Sequence, residues 1–194
     1  METIDYYNQY ADEFTQATLN VDMESLYQPF LAELPESARI LDLGCGSGRD
    51  TLAFKNRGYQ VDAIDYSEVL VERATQLTGI AVQQQSFYEI DIHDVYDGVW
   101  ACASLLHCDR NRLPDVLKRI HSALHCGGIC YMSFKYGTTD REKDGRAFTD
   151  LDEEQAKALL DQLHAVTVLK HWITVDMRPD RQEKWLNLLW KKHG

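Results

Sequence analysis

Three glycines separated by single residues, Gly44, Gly46 and Gly48, could form a turn that cradles a ligand. They follow a short apolar strand over residues 39–43 and precede a segment that can be helical from Arg49 onward. Glycine is needed where backbone angles are forbidden to side chains, and where a ligand comes too close to the main chain for a Cβ atom. The pattern therefore predicts a strand, a ligand-binding turn and a helix.

The spacing of these glycines restricts the ligand. A dinucleotide fingerprint has its third glycine one residue later, where this chain has Arg49, and a Walker loop would end in Gly-Lys and a hydroxyl residue. Asp65 is a further signal, because it ends the next apolar strand about 20 residues after Gly44. A carboxylate at this position can bind ribose hydroxyls. Asp65 thus predicts a ribose, whereas the glycine spacing disfavours a nicotinamide or flavin pyrophosphate.

The stretch from Leu41 to Gly48, Leu-Asp-Leu-Gly-Cys-Gly-Ser-Gly, resembles motif I of the class I methyltransferases that use S-adenosylmethionine. The resemblance covers nearly the whole chain and is closest to short bacterial members that include tellurite and thiopurine methyltransferases. It implies an α/β fold with a doubly wound, Rossmann-like sheet of seven strands, in the order 3-2-1-4-5-7-6 with the last strand antiparallel. It also implies S-adenosyl-L-methionine as the cofactor.

Parallel α/β sheets bind ligands at the carboxyl ends of their strands, beside the point where the strand order reverses. By the resemblance, this edge supplies the cofactor contacts Asp42, Gly44, Cys45, Gly46, Gly48, Arg49, Asp65, Tyr66, Ser86, Phe87 and Ser104. Many family members also have an N-terminal cap over the cofactor, and by analogy Tyr7 is the expected contact from it. Tyr7 shares a helical face with Ala11 and Phe14, so packing in the core is the alternative.

Methyl transfer from a sulfonium is an in-line displacement, so the enzyme mainly aligns the reactants and, for some acceptors, removes a proton. His107 follows the fourth predicted strand, and an unperturbed imidazole pKa of ~6.5 suits a base near neutrality. A packing or hydrogen-bonding role is the alternative for this residue. The expected acceptor contacts are Lys135, Tyr136, Arg178 and Arg181. Paired arginines favour planar oxyanions, although salt bridges to neighbouring acids would also explain them.

Length and composition set the class of protein. The 194 residues predict one domain over residues 1–194. The resemblance implies that it is a methyltransferase domain, with residues 1–34 as an N-terminal helical cap. The chain is 44% hydrophobic, has no apolar run near the ~20 residues of a membrane span, and begins without a basic or apolar leader. We therefore expect a cytoplasmic protein without a membrane segment, as a monomer or homodimer.

Net charge and cysteine content indicate which kinds of ligand the protein binds. A net charge of −11 disfavours nucleic acid, which is usually gripped through a basic face, and favours a small-molecule substrate. The five cysteines include no Cys-x-x-Cys pair, so no metal site is expected.

Periodicity and turn residues predict the remaining elements. Expected strands cover residues 39–43, 59–65, 80–86, 97–103, 129–134, 166–175 and 184–190. Expected helices start from Arg49, from an N-cap at Ser67, near Leu113 and from an N-cap at Thr149. Residues 138–150 are charged and lack periodicity, which predicts a mobile loop that is either a lid or a solvated connector.

These observations favour an S-adenosylmethionine-dependent methyltransferase that acts on a small metabolite or an inorganic oxyanion. Residues 103–106, Ala-Ser-Leu-Leu, depart from the Asn/Asp-Pro-Pro-Tyr pattern of family members that methylate amide or adenine nitrogens, and the Pro-Cys pair of cytosine C5 enzymes is missing. The alternatives are a wobble-uridine tRNA methyltransferase and a non-catalytic subunit that binds S-adenosylmethionine.

Overall fold

One seven-stranded sheet organises the computed structural model, which describes residues 2–194. The strands are β1 (Arg39–Leu43), β2 (Gln60–Asp65), β3 (Gln83–Gln84), β4 (Tyr96–Ala101), β5 (Leu124–Lys135), β6 (Asp140–Lys143), β7 (Arg146–Thr149), β8 (Val166–Val175) and β9 (Lys184–Lys192). The helices are α1 (Thr3–Gln9), α2 (Ala11–Thr18), α3 (Glu24–Leu31), α4 (Arg49–Asn56), α5 (Glu68–Thr78), α6 (Leu113–Ala123) and α7 (Glu153–Leu160). Single 3₁₀ turns cover Phe87–Glu89 and Leu105–His107.

The strand order in the sheet is β3-β2-β1-β4-β5-β9-β8. The strands β1 to β5 pair in parallel, and β9 lies antiparallel between β5 and β8. The predicted order is confirmed, since β6 and β7 form a separate hairpin that only shifts the numbering. The order reverses between β1 and β4, so the glycine turn after β1 lies at the point where such sheets bind ligands.

Local sequence explains how the elements around this point form. Four of the five β1 residues are buried, as expected for a strand covered by helices on both faces. Helix α5 begins where the Ser67 side chain accepts a hydrogen bond from the backbone N–H of Leu70, and it ends at Gly79 in the left-handed conformation. Pro29 lies inside α3, which continues through it to Leu31.

Two hydrophobic clusters fill the faces of the sheet. One is aromatic and packs α3 and α4 on the sheet through Phe30, Phe54 and Trp100. The other packs α6 and α7 on the opposite face, with Leu117 and Leu160 among its buried members. Burial of this apolar area fixes the helices on the sheet and so holds the strand ends in place. None of the helices within residues 2–194 is long and apolar enough to cross a membrane.

Two predicted strand boundaries are wrong. β3 has only Gln83 and Gln84 instead of residues 80–86, because it lies at the sheet edge and pairs only with the end of β2. β5 begins at Leu124 instead of residue 129, directly after α6. Gly127 and Gly128 lie inside this strand, where Gly127 has φ +85° and the pairing with β4 shifts register.

The predicted mobile loop over residues 138–150 is an ordered hairpin of β6 and β7. Asp144 and Gly145, with φ of +54° and +76°, form its two-residue turn, as Asp-Gly favours. Thr149 does not cap α7, because its hydroxyl donates to the Cys108 carbonyl at 2.7 Å. The cap is Asp152, whose side chain accepts the backbone N–H of Gln155.

Candidate functional site

A large cavity of about 1120 Å³ opens at the carboxyl ends of β1, β2 and β4. Its lining includes Gly44 and Gly46 from the turn, Asp65 and Tyr66 after β2, and the segment around Phe87. Helix α1 covers one side of it with Thr3, Ile4 and Tyr7. The predicted cofactor residues after three different strands therefore meet around one space.

The carboxylate of Asp65 holds the glycine turn in place. Its Oδ2 accepts the N–H of Gly46 at 2.8 Å, and its Oδ1 accepts the N–H of Ser67 at 2.9 Å. Burial raises the pKa of Asp65, against the opposing effect of these backbone donors. Each oxygen has a further lone pair for a ligand hydroxyl, and Tyr66 lies beside it at the rim with 53% of its surface exposed.

The three glycines of the turn have positive φ values of 77°, 56° and 92°, and each has a different neighbour. A Cβ atom on Gly44 would lie 2.4 Å from Cβ of Ser104, so β1 and β4 could not approach. A Cβ on Gly46 would lie 3.1 Å from the Phe14 ring, and one on Gly48 the same distance from Ala74 in α5. Gly46 borders the cavity, whereas Gly48 is a packing position.

Two acids next to the glycine turn, Asp42 and Asp50, are buried in the protein. Asp42 lines neither cavity; its Oδ2 accepts the Thr51 hydroxyl at 2.6 Å, and burial raises its pKa to about 8. Asp50 accepts hydrogen bonds from Tyr27, from Trp100 at 2.8 Å and from Arg49 at 2.7 Å. Burial acts to raise the pKa of Asp50, but the Arg49 charge and these donors hold it low. The Arg49 guanidinium thus has a fixed buried partner, which sequence reasoning missed.

Ser86, Phe87 and Ser104, which the resemblance implies as cofactor contacts, line the large cavity. The Ser86 hydroxyl accepts the backbone N–H of Tyr88, and the Ser104 hydroxyl donates to the Leu43 carbonyl at 2.7 Å. Both serines therefore fix loop geometry around the cavity.

His107 joins three parts of the fold. Its Nδ1 lies 2.8 Å from the carbonyl oxygen of Ala147 in β7, and its Nε2 lies 2.8 Å from the hydroxyl of Tyr7 in α1. A carbonyl can only accept, so Nδ1 carries the proton, and Tyr7 donates to Nε2. Burial lowers the pKa of His107 to about 4, and the nearby cations Arg146 and Lys135 act in the same direction. His107 is therefore a neutral acceptor at the hairpin.

A small cavity of about 350 Å³ adjoins the large one. Seven residues line both: Tyr7, Phe14, Gly44, Gly46, Ala103, His107 and Phe148. The small cavity extends from this shared wall to the turn between β8 and β9, and its lining combines apolar side chains with cations and with the acids Glu13, Asp50 and Asp176. Cys45 and Arg49 line this small cavity instead of the large one.

The cations on the small cavity differ in how they are neutralised. Lys135 lies 3.0 Å from Glu183, and Arg178 is bonded to Asp176 at 2.6 Å. Arg181 is exposed and makes no ion pair within the described residues. Tyr136, the other predicted acceptor contact, lines neither cavity; it is 40% exposed and donates to Glu153.

The hairpin supplies site residues that sequence reasoning did not identify. Arg146 lines the small cavity and Phe148 lines both cavities. Thr3 fixes this hairpin to α1, because its Oγ accepts the backbone N–H of Ala147 at 3.0 Å. The Asp144-Gly145 pair was the available signal, since it predicts a tight turn that brings Arg146 opposite Lys143.

Comparison with known proteins places these features in a family context. Residues 40–128 match the family described as a methyltransferase domain. An uncharacterized methyltransferase of Staphylococcus carnosus is 26% identical over 153 residues, which are 74% of this chain and 73% of that protein. Six further relatives are longer, and the chain spans between 36% and 53% of their length.

Solved structures agree on the fold. The 1,6-didemethyltoxoflavin-N1-methyltransferase of Burkholderia thailandensis superposes with a TM-score of 0.80 at 24% identity, covering 98% of this chain and 85% of that one. Its structure contains 1,6-didemethyltoxoflavin and S-adenosylhomocysteine. Magnesium protoporphyrin IX methyltransferase of Synechocystis, solved with bound S-adenosylmethionine, has a TM-score of 0.76 at 17% identity and covers 97% of this chain and 94% of that one.

Proposed function

We propose that this chain is a class I S-adenosylmethionine-dependent methyltransferase and that it methylates a small-molecule or oxyanion acceptor held in the small cavity. The large cavity would hold the cofactor. The observation that carries this proposal is the shared wall between the two cavities, where Tyr7, His107 and Phe148 face both spaces. Methyl transfer needs donor and acceptor in contact, and this wall is where two ligands could meet.

The residues of the large cavity fit S-adenosylmethionine. The Gly46 backbone leaves space that a side chain would fill, and the Asp65 carboxylate suits two ribose hydroxyls. Ser86 and Phe87 would lie against the adenine, and Tyr7 would cover the cofactor from α1. When bound, the cofactor supplies a methyl group already activated by a positively charged sulfur.

The protein's own part in the reaction is to exclude water, align the acceptor and accept a proton. Neutral His107 can take that proton at Nε2, because Ala147 already fixes the proton of Nδ1. The Tyr7 hydroxyl already donates to Nε2, so it would pass the proton: its oxygen accepts one from the acceptor as its own moves to Nε2. Lys135, Arg178 and Arg181 would contact the acceptor from the other side.

The two alternative functions have less support. A tRNA substrate would require a basic face, and the net charge is −11. A non-catalytic subunit would not need an acceptor cavity beside the cofactor cavity, and the named relatives are methyltransferases.

Two measurements, made one after the other, test the proposed function. Calorimetry with S-adenosylmethionine and S-adenosylhomocysteine should show binding of one molecule per chain. A coupled assay for S-adenosylhomocysteine release, run against tellurite, thiopurines and small organic acids, should then identify an acceptor class. Absence of cofactor binding would refute the cofactor site, whereas binding without turnover of any panel member would favour the non-catalytic alternative.

A further inference from the structure

One face of the hairpin carries cations that line the two cavities: Lys143 and Arg146 line the small one, and Arg141 lines the large one. In the β6–β7 register, Lys143 lies opposite Arg146 and Arg141 lies opposite Phe148, so these four side chains share a face. The Phe148 ring is 4% exposed and has cations around it, with the Arg141 and Arg146 guanidinium carbons 5.0 and 5.3 Å from its centroid. Three hairpin cations therefore lie near the wall that both cavities share.

Arg146 differs from the other buried arginines in its lack of a close acid. Arg141 is bonded to Asp150 through two nitrogens, and Arg178 is similarly held by Asp176. The nearest acid to Arg146 is Asp144, at 3.6 Å, and that side chain is 60% exposed. The buried Nε of Arg146 has no hydrogen-bond partner among residues 2–194. The charge of Arg146 is therefore less compensated within the protein than the charges of Arg141 and Arg178, which leaves it available to an anionic ligand.

The position of Arg146 is also fixed in advance. Its guanidinium lies 4.1 Å from the centroid of the Tyr6 ring, and its side chain is only 19% exposed. Stacking on aromatic rings restricts the rotation of the guanidinium group, so the side chain loses less entropy when an anion binds. Arg181 also lacks an ion pair, but it is exposed and water solvates it.

The rest of the cavity lining indicates the body of the ligand. Part of the remaining wall is formed by apolar and aromatic side chains that keep accessible surface: Phe14, Val21, Val175, Met177 and Trp185. An inorganic oxyanion would leave these surfaces against water, whereas a flat organic molecule would cover them.

We propose that the methyl acceptor is an organic anion with a flat apolar body, and that Arg146 binds its charged group. This proposal rests on the proposed function, since it names the acceptor class for the small cavity. The main contact with the anion would then be Arg146 of the hairpin, instead of the pair Arg178 and Arg181. The anion would then lie in the same cavity as His107, because both side chains line the small cavity.

Binding to the cofactor-product complex tests the proposal without turnover. We would saturate the protein with S-adenosylhomocysteine and titrate matched pairs of acid and amide: benzoate with benzamide, 1-naphthoate with 1-naphthamide, and indole-3-acetate with indole-3-acetamide. The expected result is that at least one acid binds tenfold or more tightly than its amide. If every acid binds no better than its amide, or no acid binds at millimolar concentration, the proposal is overturned.

Variants assign this preference to Arg146. In Arg146→Gln the acid should lose its tenfold advantage, Arg146→Lys should keep part of it, and Arg39→Gln, a matched change at an exposed ion pair outside both cavities, should keep all of it. A full preference in Arg146→Gln would overturn the proposal. The lysine variant keeps the test informative if the glutamine variant does not fold.

A cofactor control separates the two sites. Arg146→Gln should bind S-adenosylhomocysteine as the unmodified protein does. If it binds S-adenosylhomocysteine more weakly but 5′-methylthioadenosine equally well, Arg146 holds the cofactor carboxylate and the proposal is wrong. Failure of the unmodified protein to bind S-adenosylhomocysteine would instead refute the proposed function itself.

Discussion

The Tyr7 hydroxyl donates to Nε2 of His107 across 2.8 Å and joins two residues that are 100 positions apart in the chain. The same imidazole is anchored through Nδ1 to Ala147 of the β6–β7 hairpin. Helix α1, the 3₁₀ turn after β4 and the hairpin are therefore connected through one ring. Because that ring lies on the wall between the two cavities, the contact connects the N-terminal cap to the predicted reaction site.

Replacing Tyr7 with Phe should loosen this cap. The change removes the donor to a buried imidazole nitrogen, so we expect a loss of about 1–3 kcal/mol in the free energy of unfolding and faster amide exchange in α1. Hydrogen exchange read by mass spectrometry would measure the second effect. Tyr10→Phe is the matched control, since the Tyr10 hydroxyl makes only an exposed contact with Gln9. Equal exchange of α1 in both variants would mean that the Tyr7–His107 contact does not hold the helix.

The low pKa of His107 predicts how stability depends on pH. Burial lowers this pKa from 6.5 to about 4, so between these values the unfolded chain binds a proton that the folded protein does not. The free energy of unfolding should therefore rise with pH across this window, and the contribution should be lost as pH falls from 6.5 towards 4.

Denaturant titrations at several pH values check this dependence. In His107→Gln the slope between pH 4 and 6.5 should decrease. His93→Gln removes an exposed histidine beside Asp91 and serves as the control. An unchanged slope in His107→Gln would show that another group titrates in this window.

Replacing Asp65 with Asn should weaken cofactor binding. The carboxylate would bind ribose through charged hydrogen bonds, and it orders the turn by accepting the Gly46 N–H, so we expect a loss of about 1.5–3 kcal/mol in binding free energy. Calorimetry with S-adenosylhomocysteine measures the loss. Asp62→Asn, on the same strand but paired with exposed Arg39, should bind normally. Normal affinity in Asp65→Asn would remove Asp65 from the cofactor site.

Alanine at Gly46 should reduce cofactor affinity by more than its effect on stability explains. Both Gly46 and Gly58 have positive φ, so alanine at either position should cost about 1–2 kcal/mol of unfolding free energy. The new Cβ at Gly46 meets Phe14 at the cavity wall, whereas the one at Gly58 meets nothing within 4 Å. Titration with S-adenosylhomocysteine should thus separate the two variants, and equal affinities would show that Gly46 does not face the ligand.

Some of the site follows from local sequence. The strand, glycine turn and helix around Gly44 to Gly48 form as predicted because backbone conformation depends on near neighbours. Asp65 was predicted from its distance along the chain, and its carboxylate does meet the turn at Gly46. The sheet order came from the resemblance to a family, since periodicity alone does not decide which strands become neighbours.

Only the tertiary structure decided the chemistry of the small cavity. Residues 138–150 have no apolar alternation, so pattern reasoning predicted a loop, whereas the Asp144-Gly145 turn and the Arg141–Asp150 ion pair order them as a hairpin. Lys135 and Arg178 were expected as acceptor contacts, with salt bridges to neighbouring acids as the alternative for the arginine, and in the structure Glu183 and Asp176 balance their charges. Sequence determined which elements form, because their signals are local. Which charge stays uncompensated and which imidazole nitrogen carries the proton depend on contacts between distant segments, and these exist only in the folded chain.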